Sequence, residues 1–228
     1  MSNVQDVHVI GQYAHLSVGD VYTFAQACGV TLTVTLISLL IGTILGIFFG
    51  IVRCSKNKVI SFLPLIIMEP LRNSPLVVQM FLVYYGLPVM AGILLSPYPA
   101  AIITLSLNTA AFFGVLVHNS IMAVPVSQWE AGYALGHSKI STFIHIIARQ
   151  AFRLLVPQAI TLYIGQLQCS SIVSLISLKD ICRVGQLVSV RTMQPFAVWG
   201  IVFALYYVVS SPMARLATYL EKRVDYTY

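Results

Sequence analysis

The sequence predicts an all-α polytopic membrane protein with about five transmembrane helices, and three observations carry that prediction. Of 228 residues, 58% are hydrophobic and 9% charged, with a mean hydropathy of +0.86, whereas soluble domains carry about 25% charged residues. Residues 21–52, 73–129, 154–178 and 192–214 contain no Asp, Glu, Lys or Arg, and a membrane span needs about 20 such residues. The apolar runs are long and continuous. An outer-membrane barrel, built from alternating segments of about 10 residues, is therefore excluded.

The net charge of +6 would suggest nucleic acid in a soluble protein. Here the basic residues fall in short loops between apolar runs, where they act as topology signals, and no nucleic-acid partner is expected. Cys28, Cys54, Cys169 and Cys182 show neither a CxxC pair nor metal-ligand spacing. Most lie within apolar runs, where free cysteine behaves as a small hydrophobe. No disulfide, metal or cofactor is predicted. The first 20 residues lack a basic region and the first apolar run is too long for a signal peptide, so an uncleaved first span is expected.

Residues 1–20 read as a polar external segment, with Asp6, His8, His15 and Asp20 but no Lys or Arg. The membrane domain covers 21–223. Span 1, about 21–52, carries Thr31, Thr35, Leu39, Gly42, Gly46 and Gly50 in steps of four. All but Leu39 are small, which marks a helix-packing face. Arg53, Lys56 and Lys58 follow at once and place that end in the cytoplasm, leaving the N-terminus outside.

Span 2, about 59–87, is interrupted at Glu69-Pro70-Leu71-Arg72-Asn73-Ser74-Pro75, because two prolines break helix continuity. Glu69 and Arg72 are three apart and can pair on one face. Either the pair faces a bundle interior, which makes Arg72 a candidate for a translocation path, or it is solvated near the cytoplasmic surface. Pro88, Gly92, Pro97 and Pro99 mark an external turn. In span 3, about 99–123, Thr104, Asn108, Val115 and either His118 or Asn119 drift down one helical face. They line an interior or bond between helices.

Pro125 ends span 3 and opens a polar stretch to Gln150, in which Glu130 is the only acidic residue between Glu69 and Asp180. Lys139, Arg149 and Arg153 put it on the cytoplasmic side. A polar helix between membrane-length runs lies outside the hydrocarbon and is available to a partner. Span 4, about 154–176, is the most polar of the set. Gln158, Thr161, Gly165, Gln168 and either Cys169 or Ile172 fall at helical spacing, with Ser170, Ser171 and Ser174 beyond. They face a polar path or serve as glue between helices. Residues 177–195, with Lys179, Asp180, Arg183 and Arg191, read as lying outside. Span 5 covers about 195–216, and Arg215, Glu221, Lys222 and Arg223 close a cytoplasmic C-terminus.

The sequence holds no GxxxxGK[ST] phosphate loop, no HExxH, no GxSxG and no paired carboxylates at useful spacing. No catalytic residues are predicted, and the chain is not expected to be an enzyme. A span set lined by Gln, Ser, Thr and Asn, with one exposed polar helix, fits a transport subunit driven by another protein.

Glu130-Ala131-Gly132, three further residues, Gly136 and then Ile146 resemble the cytoplasmic EAA loop of bacterial ABC importer permeases. The resemblance extends collinearly over about 22–223. Thr31-Leu32-Thr33-Val34-Thr35, Arg72-Asn73-Ser74-Pro75-Leu76 with Gln79, Tyr84-Tyr85-Gly86-Leu87-Pro88 and Val124-Pro125 before Gln128 are similar to the polar amino-acid branch. That branch serves histidine, arginine, lysine, glutamine or glutamate. The resemblance implies a multi-pass permease of the bacterial inner membrane, with the EAA loop at 125–150. Glu130, Ala131, Gly132 and Gly136 would dock into a cytoplasmic ATPase dimer. Small residues at 131, 132 and 136 permit close approach, and Glu130 near a helix start favours the dipole.

A second permease subunit, identical or different, and an extracytoplasmic solute-binding protein are the other implied partners, within membrane lipid. The candidate path is then Arg72, Gln79, Asn108, His118, Gln168, Ser170 and Ser171. The sequence departs from the family pattern at Val115 and His118, where Glu and Arg are common, and at Ala148-Arg149, where Leu-Pro is usual. Gln168-Cys169-Ser170-Ser171-Ile172 stands where Lys-Asp-Thr-Ser-Leu is usual. Either a partner permease holds the substrate, or the pair carries a less charged solute. The second expectation is a structural or sensory membrane subunit that keeps the fold without a solute site.

Overall fold

The computed structural model describes residues 15–225, which are helical with no strand. The predicted external segment falls outside the described residues over 1–14. Among the described residues four helices are long and apolar enough to cross a membrane, and a bent pair adds a fifth crossing if counted as one span. The all-α polytopic prediction holds.

Helix α1 runs Val18–Arg53. Its start is fixed by Ser17, whose backbone N–H donates to Asp20 Oδ2 at 2.7 Å, so the side chain reaches back over the first turn. At 1.5 Å per residue it is about 54 Å long and exceeds a 30 Å hydrocarbon layer, so one end projects or the helix tilts. Helix α2 (Lys58–Asn73) and helix α3 (Leu76–Ala91) meet at 109°. Pro75 forces the break: Ser74 before it is extended (φ −115°, ψ 148°), as the clash with a proline ring demands. The predicted interruption of span 2 is thus a sharp corner. Helix α4 covers Pro97–Met122.

The polar stretch read as one helical passage is two elements. Helix α5 (Val126–Ala134) ends at a turn, and helix α6 then runs from Lys139 to Ile176. It contains a wide π turn at Phe143–Ile147 and closes in a tight 3₁₀ segment at Ser170–Ile176. Span 4 therefore begins inside the polar stretch, not near 154. Helicity passes unbroken through Ala148-Arg149, where no proline interrupts it. Helix α8 (Pro195–Asp225) completes the chain.

The region 177–195, expected to lie outside, contains helix α7 (Ile181–Thr192). Asp180 caps it, accepting from Arg183 N at 2.8 Å and Cys182 N at 3.2 Å. Ile181, Val184 and Val188 pack against Phe24 and Ala27 of α1 and Val198 and Val202 of α8. Arg191 donates to Asp20 at 2.6 Å, tying the last turn of α7 to the first turn of α1. With 12 residues the helix is too short to cross a membrane, so the search for long uncharged runs passed over it.

Helices α1 and α4 form the central seam. A Cβ placed on Gly42, Gly46 or Gly50 would stand 2.5, 2.8 or 2.5 Å from the Cβ of Thr109, Phe113 or Val117. Any side chain there would overlap α4, so the small-residue stripe is a packing face, as predicted. Helix α6 joins through Thr43 and Tyr163, whose hydroxyls lie 2.6 Å apart, and through Tyr163 stacked on Phe113 at 5.8 Å.

Candidate functional site

The corner between α2 and α3 exposes carbonyls that a continuous helix would satisfy, and in hydrocarbon such groups need partners from within the protein. Gln79 supplies them. Its Nε2 donates to Leu71 O at 2.6 Å and Ser74 O at 3.1 Å, also lying 3.1 Å from Ser74 Oγ. Its Oε1 accepts from Asn108 Nδ2 of α4 at 3.3 Å, and Asn108 Oδ1 accepts from Gln166 Nε2 of α6 at 2.7 Å. Gln79, Asn108 and Gln166 are each 6% exposed. The broken span is thus joined to α4 and α6 by a relay of three uncharged amides. Gln166 Oε1, buried at its end, meets no protein donor among the described residues.

Of the predicted path residues, the fold unites Gln79 and Asn108 in this relay. Arg72 lies beside the same corner, half-buried. Its Nη1 is 3.5 Å from Glu69 Oε1 and its guanidinium sits 5.8 Å from the Phe112 ring centroid. Asn73 donates to the other Glu69 oxygen at 2.9 Å. His118 contacts its neighbour Asn119 at 3.3 Å and takes no part in the relay. Gln168 is exposed. Ser170 is buried and donates to Leu167 O at 2.7 Å, and Ser171 is half-buried. Sequence reasoning chose Gln168 and missed Gln166. Two residues rotate a helix by about 200°, so the two glutamines face opposite ways. The usable signal was the amide itself, which requires a partner wherever it is buried.

The polar helix and its neighbour form a second unit. Gly136 stands at φ +80°, the left-handed position after a helix end. Its N–H donates to Tyr133 O at 2.9 Å, and His137 N–H donates to Gly132 O at 3.1 Å. These are the two bonds of a Schellman cap, which glycine adopts without steric cost. Gly132 is buried against the start of α6, where an added Cβ would stand 2.5 Å from Thr142 Cγ2. Trp129 stacks on Phe143 at 6.2 Å, and Gln150 donates to Gln128 at 2.9 Å. Three contacts along its length clamp α5 to α6.

Glu130 and Ala131 are exposed on the free side of α5, together with Tyr133 and Leu135. Helix α5 begins at Val126, which puts Glu130 in its second turn. The helix dipole acts within the first turn, so the dipole argument for Glu130 does not hold. In this chain Gly132 and Gly136 shape the unit, while Glu130 and Ala131 form its surface.

Apolar helices joined by a small-residue seam, a broken span closed by amides and a clamped surface helix define a multi-pass helical membrane protein. The family described as binding-protein-dependent transport system inner membrane component matches residues 42–226, and the chain belongs to it. The L-cystine transport system permease protein TcyB of Bacillus subtilis is 30% identical, covering 86% of this chain and 83% of that protein. The arginine ABC transporter permease protein ArtQ of Escherichia coli K12 is 28% identical, covering 90% and 94%. A solved structure described as an amino acid ABC transporter with histidines superposes with a TM-score of 0.83 at 28% identity, over 89% of this chain and 94% of that one. The inward-facing MetNI methionine ABC transporter shares the fold, with a TM-score of 0.73 at 18% identity over 90% and 99%.

Proposed function

We propose that this chain is the permease subunit of an ATP-driven importer of amino acids, and that α5 is its coupling helix. The observation carrying the reading is the α5–α6 unit. Its exposed face holds Glu130 and Ala131, and its opposite side is locked to a membrane-length helix through Gly132–Thr142 and Trp129–Phe143. In this reading a cytoplasmic ATPase dimer seats α5. Closure of that dimer displaces α5, and the clamp passes the displacement into α6 without loss in a flexible loop.

The amide relay carries the movement onward. Gln166 on α6 holds Asn108 on α4, which holds Gln79 at the α2–α3 corner. A shift of α6 moves the corner, where Arg72 also lies, and this alternates access between the two sides. In this reading α5 and the C-terminus lie in the cytoplasm of a bacterial inner membrane and the N-terminus outside, an orientation supported by the basic residues Arg53, Lys56, Lys58, Lys139, Arg149 and Arg153. A second permease subunit completes the pathway, and an extracytoplasmic solute-binding protein delivers the cargo. The relatives named for L-cystine and arginine transport support an amino-acid cargo.

The test is Ala131→Trp on the exposed face. The complex is reconstituted in proteoliposomes, and ATP-dependent uptake and ATPase association are measured. Both fall sharply while membrane insertion stays normal. Retained association and uptake would remove α5 as the coupling surface. Glu130→Ala serves as a milder second variant, expected to weaken uptake in the same direction.

A further inference from the structure

A cavity of about 420 Å³ opens where α1, α4, α5 and the start of α6 meet, and neither the amide relay nor the exposed face of α5 uses it. Its walls are Ile51 and Met122 near the ends of α1 and α4, Trp129 of α5, and Ile140, Phe143 and Ile144 of α6. Apolar walls alone do not name an occupant. The rim does. Lys139 lines the opening beside Cys54 and Ser55, and Arg53, Lys56 and Lys58 flank those two residues in the chain. The ion pairs among the described residues are Glu69–Arg72 and Asp20–Arg191, so none of these four cations meets a protein carboxylate there.

The cavity also sits at a chemical boundary. Helix α1 ends at Arg53, where apolar sequence gives way to basic, and α4 ends at Met122 on the same cavity wall as Ile51. Trp129 belongs to the residue type that settles at headgroup level. Basic pockets between spans hold anionic head groups.

We infer that this cavity is a binding site for an anionic glycerophospholipid. An acyl chain lies along Ile51, Met122, Phe143 and Ile144, and the headgroup phosphate faces Lys139 and the Arg53–Lys58 loop. A zwitterionic lipid satisfies the walls equally well but brings no net charge to the rim. Since Trp129 belongs to α5, an occupied cavity ties the surface helix to the membrane and to the α1–α4 seam.

The experiment counts lipids. The permease, extracted in mild detergent with the subunits that co-purify, is delipidated. It is titrated with phosphatidylglycerol or phosphatidylcholine of identical acyl chains, and bound lipid is counted by native mass spectrometry. Phosphatidylglycerol is retained in preference. Lys139→Glu lowers that preference by at least about fivefold, the effect of one basic charge at an anionic surface, and Lys139→Arg preserves it. The pair Lys56→Glu and Lys58→Glu, at exposed positions, acts in the same direction and serves if Lys139→Glu does not fold. Ile144→Trp, which fills the cavity, reduces retention. Equal retention of both lipids overturns the proposal, as does a preference untouched by the charge reversals. Retention of phosphatidylglycerol by the chain once it is separated from the co-purifying subunits, but not by the complex, also overturns it, by making the cavity a protein interface. No uptake measurement enters, so the result stands apart from the coupling reading.

Discussion

Gln166 Nε2 donates to Asn108 Oδ1 at 2.7 Å across the α4–α6 boundary, with both side chains almost wholly buried. Asn108 cannot turn to another acceptor without releasing Gln79, because its Nδ2 is already committed to Gln79 Oε1. The corner at Pro75 and the polar middle of α6 are therefore one mechanical unit built from neutral groups.

Breaking that unit has a defined cost. Gln166→Leu strands Asn108 Oδ1 in an apolar setting, which destabilises by about 1–3 kcal/mol. The double variant Asn108→Leu/Gln166→Leu is less damaging than the sum, because both partners leave together. The coupling energy from thermal unfolding in detergent should lie near 0.6 kcal/mol and not much above about 1.7 kcal/mol. A coupling of zero would show that the two amides act independently.

The central seam is intolerant of volume. Gly46→Val places a branched side chain where even a Cβ stands 2.8 Å from Phe113 Cβ and 3.0 Å from Ala110 O. Overpacking of this kind costs about 1–3 kcal/mol. Gly29 lies in the same helix with open space around it. Gly29→Ala should be neutral or stabilising by up to about 1 kcal/mol through helix entropy. Melting temperatures of the purified variants separate the two, and similar shifts would contradict the seam.

The turn after α5 depends on one backbone angle. Gly136→Ala must hold φ +80° with a Cβ present, at a cost of roughly 1 kcal/mol. Gly136→Asn should be milder, since asparagine also serves at such caps. Amide hydrogen exchange at Gly136 and His137 reads the loss directly. Faster exchange confined to the end of α5 is expected, with the rest of the chain unchanged.

Asp180 confers a pH dependence. It is buried at the start of α7, and burial pushes its carboxyl up to about 6 despite the bonds from Arg183 N and Cys182 N. Between about pH 4 and pH 6 the folded state then holds a proton that the unfolded state has released. Stability accordingly falls as pH rises through this window and levels off above it. Asp180→Asn keeps a capping oxygen and removes the titration, so its stability should be flat over the same range. Unfolding temperatures at pH 4.5, 5.5 and 7.5 give the comparison, and parallel curves for the two proteins would refute it.

The sequence by itself determined the class, the span count and the stripe of small residues. These depend on local quantities: the length of uncharged runs, the four-residue spacing of Gly42, Gly46 and Gly50, and the prolines that end helices. It also placed the break in span 2, since the conformation of Ser74 is dictated by the proline beside it. Tertiary structure decided the rest. Helix α7 was hidden because its 12 residues are too few for a span, and Ile181, Val184 and Val188 acquire meaning only against Phe24 and Val202. Gln166 was passed over for Gln168 because the two differ in facing, and facing is fixed by which neighbour a helix meets. The EAA-like glycines looked alike in sequence, yet Gly132 is buried against Thr142 while Gly136 turns the chain. A residue type sets what a position can do, and only packing against distant residues sets which of those things it does.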